Sequence, residues 1–202
     1  ANAPEASDSS FTFDAFTSTV NKDLNGVLGN FVSRVLKMTA SKIGSEVPGG
    51  GEMTAVEDEL AANIQEKVNN YLKYMENMEI RKAMNELRAI WVEGNNYIST
   101  TEPWTVIKEN PERSAAILRV CINLIRIFAI LSAPIMPKVS ESMLARLGLT
   151  SADMPKLNGF DVKKELQALQ PGHKFEVGEP LFERITPERT EELKAKYGSQ
   201  GK

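Results

Sequence analysis

Cysteine and histidine are almost missing from these 202 residues, with Cys121 and His173 the only examples. A lone cysteine excludes an internal disulfide, and one histidine without a CxxC pair supplies no ligand set for a dedicated zinc site. Cys–His nucleophilic catalysis lacks local partners for the same reason. Cys121 sits in an apolar run with no basic neighbour to activate it and reads as buried filler, consistent with a reducing cytoplasm. Neither sign of charge dominates: 24 basic against 27 acidic side chains leave a formal net charge of −3. No overall field therefore draws the chain to DNA or to an anionic membrane, and any RNA binding must come from a local site. No apolar run is long enough to cross a bilayer. The most apolar stretch, 115–136, is interrupted by Arg119, Asn123 and Arg126 and reads as a core helix. The first ten residues, ANAPEASDSS, have no apolar h-region; they read as a linker, not a signal peptide. No metal or cofactor site is expected.

What the chain does have is hydrophobic residues, 42% of the total, recurring at helical spacing. The organising stretch is 21–44, expected as one helix. Leu28, Phe31, Val32, Val35 and Leu36 gather on one side of it, while Asn30, Arg34, Lys37 and Ser41 stack along the other. That polar stripe is either a solvated face or a recognition surface. Gly26 and Gly29 inside the helix each cost about 1 kcal/mol relative to alanine, which marks a close approach or a loosened start. Pro48 to Gly51, PGGG, reads as a flexible loop.

A capping box, Thr54 to Glu57, opens a second helix with Val56, Leu60, Ile64, Val68, Leu72 and Met75 on its apolar stripe. Tyr71 and Tyr74 beside that stripe read as packing. After a short break a third helix starts at Ile80, and so short a connection implies an antiparallel neighbour. Pro103 then disfavours helix at Glu102 and forces a corner that carries Trp104, either a bundle-capping aromatic or a stacking platform for an unpaired base. Asn110-Pro111 caps a central fourth helix over 111–133, in which Arg119 and Arg126 are expected to pair with carboxylates. A fifth helix spans about 138–147 and ends at Gly148.

The fold class is therefore all-α, an antiparallel five-helix bundle over 11–148. A mostly extended tail over 149–202 is expected to pack back on it, with short helices at 162–169 and 187–197 and a disordered end.

Three signatures stand in order along the chain: Gly29-Asn-Phe-Val-Ser-Arg34, Asn96-Tyr97 followed by Glu102-Pro-Trp104, and Pro180-Leu-Phe-Glu-Arg-Ile185. In that order and spacing, 11–185 resembles the C-terminal helical anticodon-binding domain of methionyl-tRNA synthetases, class I enzymes. The resemblance implies a tRNA anticodon site at Asn30, Arg34 and Trp104, with the CAU anticodon loop of tRNA(Met) as the partner. Asparagine carries both donor and acceptor, arginine a planar donor fork, and spacing at i, i+4 sets them about 6 Å apart. Lys22, Lys37 and Lys42 are candidate phosphate partners.

The family's HIGH-like and KMSKS-like motifs are lacking, so the chain is expected to hold no catalytic centre. ATP would be used by the catalytic domain of the same enzyme, the second partner, and the piece alone is expected to be a cytoplasmic monomer. The alternative is a helical protein-interaction module with Trp104 as a hot spot. A free-standing hydrolase is disfavoured, since no acid–base or nucleophile pair assembles from local spacing.

Overall fold

The structure, a computed structural model, describes residues 11–198. The linker expected over 1–10 and residues 199–202 of the expected disordered end lie outside that range. The regular elements among the described residues are all helices, joined by irregular segments that include a single isolated β-bridge, between Glu46 and Lys174.

α1 (Phe13–Thr19) starts at Thr12, whose hydroxyl accepts from the Ala15 N–H. It runs straight into a π-helical segment, Val20–Gly29, and then into α2 (Asn30–Lys42). The single helix expected over 21–44 is thus corrected to two windings in series. Both glycines suit the wider turn. A Cβ at Gly26 would meet the Asn21 carbonyl at 3.2 Å, and one at Gly29 would meet the Phe182 ring at 3.1 Å. A π segment loosens the backbone hydrogen-bond ladder. Here Asn95 supports it by donating from Nδ2 to the Val27 carbonyl at 3.2 Å. Leu28, Phe31, Val32, Val35 and Leu36 are fully buried on the inner face, as their spacing predicts.

α3 (Ala55–Glu76) opens on the expected capping box, but the inward residue differs. Val56 is 47% exposed whereas Glu57 is 0% exposed, so Glu57 and not Val56 begins the buried stripe. α4 (Ile80–Thr101) follows a tight turn at Met78, which takes φ 59°. Contacts between the two run in reverse order: Glu57 with Tyr97, Lys67 with Glu93 at 3.2 Å, and Tyr74 under Lys82. They form an antiparallel hairpin. Tyr71 is packing, as expected, and its hydroxyl donates to the Leu131 carbonyl at 2.9 Å.

α5 (Pro103–Val106) is the corner, and α6 (Pro111–Ser132) the central helix. By length and apolarity alone α6 would pass for a membrane span, which corrects the expectation that no stretch comes close. Yet Ala115 to Leu118 and Val120 to Ser132 are all buried among the neighbouring helices. α7 (Pro137–Arg146) ends near Gly148, whose φ of +65° suits the helix stop. α8 is shorter than expected, Val162–Glu165, because the chain turns at Leu166; α9 is Pro187–Tyr197. Phe160, Val162, Leu166, Leu169 and Phe175 share the same core as the preceding helices.

The two arginines of α6 behave differently. Arg126 pairs with Glu165 as expected. Arg119 instead donates to three backbone carbonyls, of Pro48 at 3.0 Å and of Gly50 and Gly51 at 2.8 Å each. The PGGG segment is accordingly pinned, not flexible. A side chain is excluded at Gly51, where a Cβ would lie 2.3 Å from the Glu112 carbonyl.

Gly94 is the closest approach in the core. A Cβ there would sit 2.7 Å from Phe128 Cζ and 3.2 Å from Phe31, whose ring centroids are 5.2 Å apart. Gly94→Ala therefore lowers stability by about 1–3 kcal/mol despite alanine's better helix propensity, because the gain of roughly 1 kcal/mol from propensity is outweighed by overpacking. The midpoint of urea unfolding checks it; an unchanged or raised midpoint contradicts the close approach.

Candidate nucleic-acid interface

The polar face of α2 begins at its first residue. Asn30 is exposed there, and its side chain makes no hydrogen bond with another described residue. One turn on, Arg34 is half-buried, with Cζ 4.3 Å from the centroid of the Trp104 ring. At that range the cation lies within reach of the ring's negative face, and the planar guanidinium can stack on the indole. The structure thus brings Arg34 and Trp104 together, with Asn30 on the next turn of the same helix face.

Trp104 is held by its corner. α4 stops because Glu102 adopts a left-handed conformation, φ 41° and ψ 57°, ahead of Pro103. That conformation costs of order 1–3 kcal/mol for a non-glycine residue and persists only where the surroundings fix it. They do so here. Pro103 is buried and its carbonyl accepts from Ser114 Oγ of α6 at 3.0 Å, while the Thr105 N–H donates back to the Glu102 carbonyl at 2.8 Å. Trp104 remains half-buried against the edge of the core.

Beneath the corner lies a network that spacing did not reveal. Glu57 accepts from Arg113 twice, at 2.7 and 2.9 Å, from the Tyr97 hydroxyl, and from the Thr54 N–H at 2.7 Å. Burial alone would raise this carboxyl, but the hydrogen bonds from Arg113, Tyr97 and Thr54 outweigh it and hold it at about 2. Burial pushes the Tyr97 phenol strongly upward, so it stays protonated and donates. The start of α3, the end of α4 and the start of α6 converge on one carboxylate.

The three candidate phosphate lysines are scattered. Lys22 is exposed on the π segment, where it lines a groove with Asn30; Lys37 and Lys42 are exposed along α2. None of the three pairs with a carboxylate among the described residues. The groove's opposite wall is Arg184, from the segment Pro180 to Ile185. That segment, expected merely to lie back on the bundle, is fastened beside the polar face: Asn21 Nδ2 donates to the Ile185 carbonyl at 2.8 Å, and the Ile185 N–H to Asn21 Oδ1 at 3.0 Å.

A family model described as the anticodon binding domain of methionyl tRNA ligase matches residues 47–202. The chain belongs to this family. A second model, tRNA synthetases class I (M), matches residues 1–36. Asn30 and Arg34 fall in that match and Trp104 in the first, so the candidate interface straddles the two.

The methionine–tRNA ligase of Ruegeria sp. (strain TM1040) is 46% identical over 196 residues, which is 97% of this chain and 34% of that protein. The corresponding ligase of Cereibacter sphaeroides (strain KD131 / KCTC 12085) is also 46% identical over 196 residues, with the same coverage. Thus the chain spans about a third of the length of the curated relatives it matches. Among solved structures, apo Mycobacterium tuberculosis methionyl-tRNA synthetase superposes with a TM-score of 0.75 at 24% identity, over 88% of this chain and 35% of that one. The same synthetase bound to methionyl-adenylate gives a TM-score of 0.73 at 23% identity. These likenesses bear out the all-α fold of the ligase domain.

Proposed function

We propose that this anticodon-binding domain reads the CAU loop of tRNA(Met) through Asn30, Arg34 and Trp104. Reading the loop would let a catalytic domain elsewhere in the longer ligase, acting with ATP, charge the bound tRNA with methionine. The observation that carries this is the Arg34 guanidinium lying over the Trp104 ring, its Cζ 4.3 Å from the centroid, on the same face as exposed Asn30. Single-stranded loop bases offer Watson–Crick edges that need donors and acceptors together, and a π face that stacks on aromatic or guanidinium planes. Asn30 supplies the first and the Arg34–Trp104 pair the second. Because the chain carries a net charge of −3, affinity must come from such base contacts more than from an overall field.

Heteronuclear NMR titration of the chain with a CAU anticodon stem-loop, and with a loop carrying three changed bases, tests the assignment at one fixed low salt concentration. Shifts at Asn30, Arg34 and Trp104 with CAU alone are expected. Equal shifts spread over the surface with both loops refute base reading. No shift with either loop favours a protein-interaction surface instead.

A further inference from the structure

Beside Asn30 the surface opens into a groove of about 550 Å³, lined among others by Ser18, Asn21, Lys22, Asn25, Asn30 and Arg184. Its two walls come from opposite ends of the chain, the π segment and the segment Pro180 to Ile185. The segment is anchored on both sides of Arg184. Phe182 lies against Gly29, where a Cβ would come within 3.1 Å of its ring, and Ile185 exchanges two hydrogen bonds with Asn21. The backbone that carries Arg184 is therefore fixed against the reading helix, although its side chain is exposed.

Asn21 is spent on Ile185, but four other polar groups in this groove are free of partners among the described residues. Lys22, Asn25, Asn30 and Arg184 form no side-chain hydrogen bond or ion pair with another described residue. Elsewhere several surface cations are occupied: Arg88 by Asp23 at 2.7 Å, Lys163 by Asp58 at 2.7 Å, and half-buried Lys194 by Asp14 at 2.8 Å. Among the described residues no carboxylate lines the groove, and Asp23, next to Lys22, is turned to Arg88. Two uncompensated cations with amides between them suit anionic oxygens separated by hydroxyl groups. A sugar–phosphate backbone has that chemistry, and a base edge does not require it.

We propose that this groove holds the ribose and its two flanking phosphates of the loop nucleotide adjoining the one at Asn30. Arg184 and Lys22 take the phosphates and Asn25 hydrogen-bonds the ribose. The proposal rests on the anticodon reading above and adds to it a contact that is blind to sequence, contributed by the far end of the chain.

The test is fluorescence anisotropy of the chain with the CAU stem-loop and the changed-base loop across a range of salt concentrations. The double variant Arg184→Gln, Lys22→Gln is compared with Lys156→Gln, which removes a charge outside the groove. Each phosphate contact to a single strand contributes about 0.7 to the slope of log affinity against log salt, so the double variant should lose about 1.4. Its affinity for both loops should fall by the same factor, leaving the CAU preference intact. An unchanged slope and affinity, in a chain that still prefers CAU, overturns the groove, as does an equal slope loss in Lys156→Gln. A wild-type chain with no CAU preference, whose slope nevertheless falls in the double variant, overturns the base reading and leaves the backbone groove standing.

Discussion

Glu57→Ala lowers the folding stability of the chain by about 3–5 kcal/mol, the range found when one partner of a buried charge pair is removed. The carboxylate is 0% exposed, and the groups that donate to it would be left without an acceptor. Arg113 would lose a bidentate partner at 2.7 and 2.9 Å, Tyr97 the acceptor of its buried hydroxyl, and α3 half of its capping box. Glu57→Gln keeps the shape but cannot accept on both sides, so it falls between wild type and alanine.

The same contacts make stability depend on pH. The folded pKa of about 2 lies below the usual 4.5, so the stabilisation is fully present above pH 4.5 and is lost as pH falls through 2. A depression of this size is worth of order 3 kcal/mol. Urea midpoints measured between about pH 6 and pH 2 should drop more steeply for wild type than for Glu57→Gln. Parallel curves would mean that Glu57 is not held ionised in the fold.

The bundle was legible because α6 is apolar on nearly every side, because Thr54 and Asn110 mark helix starts with oxygens that accept from free N–H donors, and because Pro111 at the first helical position has no N–H to satisfy. The corner was legible for a similarly local reason: proline restricts the residue before it, and Glu102 duly leaves the helix. What spacing could not show is long-range. Val56 and Glu57 are neighbours, and periodicity favours the apolar one; the charge is buried because Tyr97 and Arg113 reach it across 40 and 56 residues. Arg119 was expected to seek a carboxylate, but the glycine loop presents three carbonyls to its fork. Phe182 lies over Gly29 at the end of the π segment, a contact across most of the chain's length that spacing cannot reveal. Of the candidate interface, Asn30, Arg34 and Trp104 were available from motif order, whereas the approach of the Arg34 guanidinium to the Trp104 ring needed the folded corner. Arg184 was in plain view within a motif, and nothing local distinguishes it from a solvated cation.

Trp104→Ala is expected to weaken binding of the CAU stem-loop by a factor of about 5–150, the equivalent of roughly 1–3 kcal/mol for a lost stacking platform. Its cost to folding should stay below the roughly 3–5 kcal/mol of truncating a fully buried aromatic such as Phe31, because Trp104 lies half-buried at the core's edge. The difference between the two effects is the informative quantity. A purely bundle-capping tryptophan would show a large fall in the urea midpoint and an affinity that returns to normal once the folded fraction is allowed for. Trp104→Phe keeps a ring at the corner and should recover part of the binding.

Arg34 supplies a second check, since it lies on α2 and can be changed without altering the backbone of the corner. Arg34→Lys retains the charge but loses the planar donor fork and its stack on the indole, so a reader of base edges should lose most of its preference for CAU over the changed loop. A site that used Arg34 only as a positive charge would keep that preference and the salt dependence of wild type. Equal discrimination by Arg34→Lys and wild type would therefore remove Arg34 from base reading, whatever Trp104→Ala had shown.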